Sequence, residues 1–250
     1  HSTATGAPTG GASMSEQRTH DHRHPHSHGH DHGHGHGPEH ATHAQGGAGE
    51  EFWDARYQET VRIWSGEANA MLVHEVSGLA PGRALDLGCG EGGDAVWLAR
   101  LGWTVTGTDI SGVALGRSAE HAADAGVADR VTLERHDLTE SFPEGEFDLV
   151  SACFLHNYGD FPRDRVLRAA ASAVAPGGTL LVVGHAGWAP WQEEREEAYF
   201  PTPQDVLAQL EPVTAGWEVL RAEETERVQN QPDGTPGTRT DNVVRLRRPA

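Results

Sequence analysis

From Arg83 onward, apolar runs of strand length alternate with stretches of helical period. The segments "RALDLG" (83–88), "WTVTGTDI" (103–110), "RVTLERHD" (130–137), "FDLVSACF" (147–154) and "GTLLVVGH" (178–185) read as strands, and 92–101, 111–125 and 163–175 as helices. Strands alternating with helices of about ten residues or more predict right-handed crossovers and a parallel sheet covered on both faces. After Pro203, a short helix (203–210), a strand in "WEVLRAEETERV", a polar turn at 232–237 and a strand "NVVRLRR" predict an antiparallel hairpin closing one sheet edge. Ahead of the alternation, Phe52, Trp53 and Tyr57 recur at one-turn spacing. Ala68, Leu72, Val73 and Val76 do the same further on, predicting a short helix, a turn near Ser65-Gly66 and a second helix.

Composition separates residues 1–49 from the rest. They are rich in Gly, His, Ser, Thr and Ala and nearly free of large apolar side chains, so the expectation is a disordered tail before one α/β domain over 50–250. In the tail, His20, His22, His24, His26, His28, His30, His32, His34 and His36 stand at every second position. Imidazoles at that density favour Zn, Ni or Cu, although a flexible tail without a specific role and a partly engineered affinity sequence fit the same composition. The formal net charge is −18 and every basic residue besides histidine is Arg. Such a surface opposes nucleic acid as a partner. No run of 18 apolar residues and no leader pattern occurs, and only Cys89 and Cys153 are present, so the expected setting is the cytoplasm, with no membrane partner.

The stretch "LDLGCGEGGDAVWLA" (85–99) runs from strand through a glycine turn into helix. Gly88, Gly90 and Gly93 fit the dinucleotide spacing G-x-G-x-x-G, and in such sheets the first strand-to-helix turn is where a ligand sits. A dinucleotide lays its pyrophosphate on that turn and the helix N-terminus. Here the turn carries Asp86, Glu91 and Asp94, which repel pyrophosphate and suit a phosphate-free donor with ammonium and sulfonium groups, S-adenosylmethionine. An NAD-dependent oxidoreductase is the competing enzyme class. Asp109 ends the second strand, where an acid accepts from ribose hydroxyls, or else caps a helix, for which Ser111 is better placed. Asp137 ends the third strand, where its carboxylate can accept from the adenine amino group while Leu138 packs on the ring.

With "LDLGCGEGG", "VTGTDIS", "RHDLTESFPEGEFDLVSACFLH" and "APGGTLLVVGH" in this order, the chain from about 52 to 248 resembles the class I S-adenosylmethionine-dependent methyltransferases. The resemblance implies an α/β doubly wound Rossmann-like fold: a seven-stranded sheet ordered 3-2-1-4-5-7-6, strand 7 antiparallel, with helices on both faces. It implies donor contacts from Asp86, Gly88 and Gly90 to the methionine portion, from Asp109 to ribose, and from Asp137 and Leu138 to adenine, S-adenosylhomocysteine being the product. Cys89, Ile110 and Cys153 stand at the same edge and count with the donor positions. The opening "FWDARYQETVRIWSGEANAML" resembles the lead-in of the tellurite-resistance and thiopurine-type subset, small-molecule enzymes that often act on sulfur or its heavier relatives.

Methyl transfer is an in-line displacement that chiefly needs alignment, desolvation and, for some acceptors, a base. His156 and His185, just beyond strands 4 and 5, are the candidate general bases, with loop hydrogen bonding the plainer role for each. Tyr57, Trp64 and Trp188 are the candidate acceptor-pocket aromatics. Trp53 and Tyr57 also fit a stripe that packs the first helix onto the domain. Cys89 and Cys153 fit either a thiophilic metalloid acceptor or ordinary buried core thiols. The expected partner is a small-molecule methyl acceptor, in a monomer or homodimer. A metal-binding protein on a methyltransferase-like scaffold is the non-enzyme alternative.

Overall fold

The computed structural model describes residues 49–59, 66–156, 160–193 and 199–250. Two helices lead in, α1 (Glu50–Glu59) and α2 (Ala70–Val76). The alternating part follows as β1 (Arg83–Leu87), α3 (Gly93–Arg100), β2 (Thr104–Asp109), α4 (Gly112–Asp124), β3 (Val131–Arg135), β4 (Phe147–Cys153), α5 (Arg163–Ser172) and β5 (Val174–His185). It closes with α6 (Pro203–Leu210), β6 (Glu218–Asn230) and β7 (Pro236–Arg247). One seven-stranded sheet results, ordered β3-β2-β1-β4-β5-β7-β6. Pairs from β3 to β5 are parallel, and β7 runs antiparallel to both β5 and β6.

Successive residues of a strand point to opposite faces, and the core divides accordingly. Ala84, Val105, Leu149, Leu181 and Val183 pack with Leu72, Val76, Val96, Leu98 and Trp103 on one side. Leu85, Leu87, Val150, Leu180 and Val182 pack with Leu167, Ala170, Val206 and Leu210 on the other.

Three features differ from the reading of periodicity. α5 ends at Ser172 rather than 175, and β5 begins at Val174, paired with Phe147 across a register shift. Pro176 biases Ala175 toward extended backbone, which moves the strand start forward. β6 and β7 are 13 and 12 residues long, and β7 begins six residues before Asn242, because cross-strand pairing continues through polar residues that alternation does not mark. The third difference is α1. None of its residues is buried, so its aromatic stripe does not serve as core.

α2 is tied to the hairpin by charge. Glu75, 4 % exposed, pairs with Arg221 and, at 3.0 Å, with Arg245. Burial pushes its carboxyl up, but the hydrogen bonds from Arg221 and His74 outweigh that and hold it below the usual range.

Candidate functional site: a cavity at the carboxyl edge of the sheet

A cavity of about 260 Å³ opens at the carboxyl edge of β1, β2, β3 and β4. Gly88, Asp109, Ile110, Asp137 and Leu138 line it, together with Trp53, Arg56 and Tyr57 of α1, His136, and Phe154, Leu155, His156 and Phe161.

The floor is the turn after β1. Gly88 and Gly90 hold φ of 68° and 54°, a region most side chains avoid. A Cβ at Gly88 would lie 2.7 Å from Leu155, and one at Gly90 would lie 3.0 Å from the Tyr57 hydroxyl, so any larger residue would fill the space the turn leaves. Asp109 Oδ2 accepts the Gly90 N–H at 2.9 Å and its Oδ1 accepts the Ser111 N–H at 3.0 Å, which locks the end of β2 to the turn. Burial raises its carboxyl above the usual value against the pull of those donors. Ser111, not Asp109, caps α4, accepting from Ala114 N–H at 3.1 Å. Asp137 Oδ1 accepts from the Thr139 N–H and hydroxyl at 2.9 and 2.6 Å, an Asx turn that fixes the carboxylate at the cavity wall.

Of the three loop carboxylates, two act at this end. Glu91 instead pairs with Arg117 of α4 at 2.6 Å, which spends its charge away from the turn. Asp86 is 2 % exposed and its Oδ2 has no hydrogen-bond partner, while Oδ1 has only Ser151 at 3.4 Å. Asp94 accepts the Asn69 N–H at 2.6 Å. Burial pushes both carboxyls up, Asp94 to about 6 and Asp86 well above its ordinary value, helped by the charge of Asp94.

α1 forms the outer wall. Asp54 Oδ1 accepts from the Ser111 hydroxyl at 2.5 Å and from Val113 N–H at 3.2 Å, and Glu50 pairs with Arg135. Tyr57 reaches the turn, and burial with the nearby Asp109 charge keeps its phenol protonated far above neutrality.

The far wall follows β4. Phe154 is a non-glycine residue at φ 54°, a conformation that persists only where its surroundings impose it. Its N–H donates to Val183 at 2.8 Å, and its ring lies 4.3 Å from that of His185. His156 stacks on His185 at 5.6 Å. His185 Nδ1 meets Asp241 Oδ1 at 3.0 Å; a carboxylate only accepts, so Nδ1 carries the proton and Nε2 the lone pair. Burial lowers the pKa of both histidines, and the neighbouring cations add to the effect on His156.

Gly88, Asp109, Ile110, Asp137, Leu138, Tyr57 and His156 thus meet in one cavity, as the sequence places them. Asp86, Gly90, Cys89, Cys153 and His185 stand behind its surface rather than in its lining. Cys89 packs toward Gly107 of β2, and Cys153, the last residue of β4, packs on the core. Burial raises both thiols well above their usual value, so neither is a thiolate. Trp188 is not in the lining; its ring meets Phe200 edge-on at 5.3 Å. Trp64 and the histidines from His20 to His36 lie outside the described residues. Among the described residues, no group of three or more His, Cys, Asp and Glu is placed to hold a metal ion. Likewise, no helix there is long and apolar enough to cross a membrane. Arg56, His136 and Phe161 were not singled out from the sequence, since nothing local marks them; Trp53 was, but as packing.

Residues 84–178 match the family model described as a methyltransferase domain. The chain is 39% identical over 123 residues to 27-O-demethylrifamycin SV methyltransferase of Amycolatopsis mediterranei, covering 46% of this chain and 44% of that one. It is 33% identical over 114 residues to thiocyanate methyltransferase 1 of Arabidopsis thaliana, covering 44% and 48%. Among solved structures, one described as "Conversion of a Disulfide Bond into a Thioacetal Group during Echinomycin Biosynthesis" aligns with a TM-score of 0.61 at 25% identity, over 80% of this chain and 91% of that one. Over residues 84–178 the chain is thus similar to methyltransferase domains, and its seven-stranded sheet has the strand order that the sequence resemblance implied. The chain spans less than half the length of these curated relatives.

Proposed function

We propose that this protein transfers a methyl group from S-adenosylmethionine to a small-molecule acceptor. The observation that carries the reading is Asp86: a buried carboxylate with an unpartnered oxygen, two residues before a glycine turn that leaves room only for backbone. An orphaned buried carboxylate calls for a cationic partner, and the donor's ammonium fits. Asp86 and Asp94 at the same turn oppose a pyrophosphate, which argues against a nicotinamide dinucleotide. Asp109 is set to accept from ribose hydroxyls, and Asp137 with Leu138 would hold the adenine.

When bound, S-adenosylmethionine supplies an electrophilic methyl on a good leaving group. The chain's own part is to align the acceptor and keep water out, with Phe154, Leu155 and Phe161 as apolar wall and α1 as cover. Neutral His156, in the cavity wall, takes the proton of an acceptor that arrives protonated; His185 and Asp241 hold its ring from behind. Sulfur acceptors are the first class to screen, because a thiocyanate methyltransferase stands among the relatives. A metalloid held by Cys89 and Cys153 has less support, since both thiols stay protonated. The net charge of −18 favours small acceptors over nucleic acid. The histidine tail is read as a Zn, Ni or Cu binder on its composition.

Calorimetric titration tests the donor. S-adenosylmethionine is expected to bind saturably and NAD not at all, and Asp109→Ala to weaken the donor tenfold or more, about 1.4 kcal/mol. Saturable NAD binding with no S-adenosylmethionine binding would overturn the reading.

A further inference from the structure

The donor cavity uses aspartates, yet the ground behind His156 is built from arginines. The β6/β7 register sets Arg227 opposite Arg239, and the β5/β7 register sets His185 opposite Asp241. Like charges directly opposite on neighbouring strands repel, so this placement needs a counter-charge. Asp241, fully buried, supplies one: its Oδ2 accepts from Arg227 Nε and its Oδ1 from His185. That single carboxylate is then occupied. Arg239 is 8 % exposed; among the described residues its Nε has no partner and its Nη2 meets the Gly187 carbonyl at 3.4 Å. Arg163, at the start of α5, donates Nη1 to the Leu155 carbonyl at 2.9 Å and also leaves Nε buried without a partner.

Neither Arg163 nor Arg239 reaches a carboxylate within ion-pair distance among the described residues. Among the described residues, three guanidinium groups therefore face one carboxylate, and two positive charges are left over there, in a chain whose net charge is −18. Buried cations without a counter-charge are retained at a cost to stability, and a ligand that completes them recovers it. The leftover field is felt at the cavity: Arg163 and Arg239 both act on His156, whose ring lines it, and Arg163 is bonded to Leu155, which lines it too.

We propose that the buried arginines Arg163 and Arg239, behind the His156 and Leu155 lining of the cavity, select a methyl acceptor bearing an oxyanion, a carboxylate foremost, on a ring that packs against Phe154 and Phe161. The inference rests on the methyltransferase reading and adds the charge of the acceptor to it. Planar guanidinium groups suit a carboxylate bidentately, and a wall of aromatic rings suits a flat ligand body.

The test uses the full chain saturated with S-adenosylhomocysteine, titrated calorimetrically with benzoate and with benzamide, its neutral isostere. Benzoate is expected to bind at least tenfold more tightly. In Arg239→Gln, and separately in Arg163→Gln, that ratio is expected to fall below threefold while S-adenosylhomocysteine affinity is unchanged. Arg163 is the more exposed of the two, so its variant keeps the test open if Arg239→Gln fails to fold. Equal binding of the two probes, no benzoate binding, or a ratio unchanged in both variants overturns the inference while leaving the methyltransferase reading intact. Failure of folded wild type to bind S-adenosylhomocysteine overturns that reading first, and this inference falls with it.

Discussion

At the scale of single residues, charge placed under burial does most of the work. Asp94 illustrates it: burial raises its carboxyl from 3.8 to about 6, and burial raises Asp86 nearby as well. A cationic donor binds the ionised form, so S-adenosylmethionine affinity is expected to hold above pH 6 and to drop about tenfold by pH 5. The same shift acts on the ligand-free fold in the opposite sense. A carboxyl whose folded pKa lies above its unfolded value binds extra protons when folded, so its stabilising contribution is full below 3.8 and is lost as pH rises to about 6. Asp94→Asn keeps the acceptor for the Asn69 N–H, and thermal melts from pH 4 to 7 are expected to show a flatter decline than wild type. An unchanged slope would assign the pH dependence elsewhere. Asp109 and Asp137, expected from the sequence at strand ends, line the cavity at the ends of β2 and just past β3, while Asp86, inside β1, is buried behind it. The sequence reading misjudged Glu91, whose charge is taken by Arg117, a residue one helix away that local spacing does not connect to it.

At the scale of elements, α1 forms one wall of the cavity. A ten-residue helix with no buried residue is marginal alone, and its tether is the Asp54 carboxylate on the N-terminus of α4, reinforced by Glu50 with Arg135. Asp54→Ala is expected to leave the thermal midpoint nearly unchanged, since no core is touched, and to weaken S-adenosylmethionine binding about threefold or more by releasing Tyr57 and Trp53. Faster proteolytic cleavage within 50–59 is the structural readout, and wild-type donor affinity in the variant would remove α1 from the site. The aromatic spacing of this helix predicted core packing; Phe52 is exposed instead, and Trp53 and Tyr57 face the cavity, because α1 lies over the ligand edge of the sheet rather than on one of its apolar faces.

At the scale of the whole molecule, the chain pairs an alternating domain with a histidine-rich leading segment of very different composition. Removing residues 1–48 is expected to leave S-adenosylmethionine affinity within twofold of the full chain and to abolish binding of Ni or Zn, measured by calorimetry with each metal. Retained metal binding would move that property into the domain, and lost donor affinity would tie the segment to the site. The order of elements, the sheet with its antiparallel closing hairpin, and the acids at the strand ends were all determined by the sequence alone, because periodicity and strand ends are local properties of a chain. Tertiary structure decided the rest. His185 meets Asp241 56 residues away, and Arg239 stands opposite Arg227 only through the hairpin register. Tyr57 meets the glycine turn through helix docking. Such contacts depend on strand register and on how helices settle against the sheet, and the physical reason they escape sequence reading is that the charge a residue presents to a site depends on which distant partner has already claimed it.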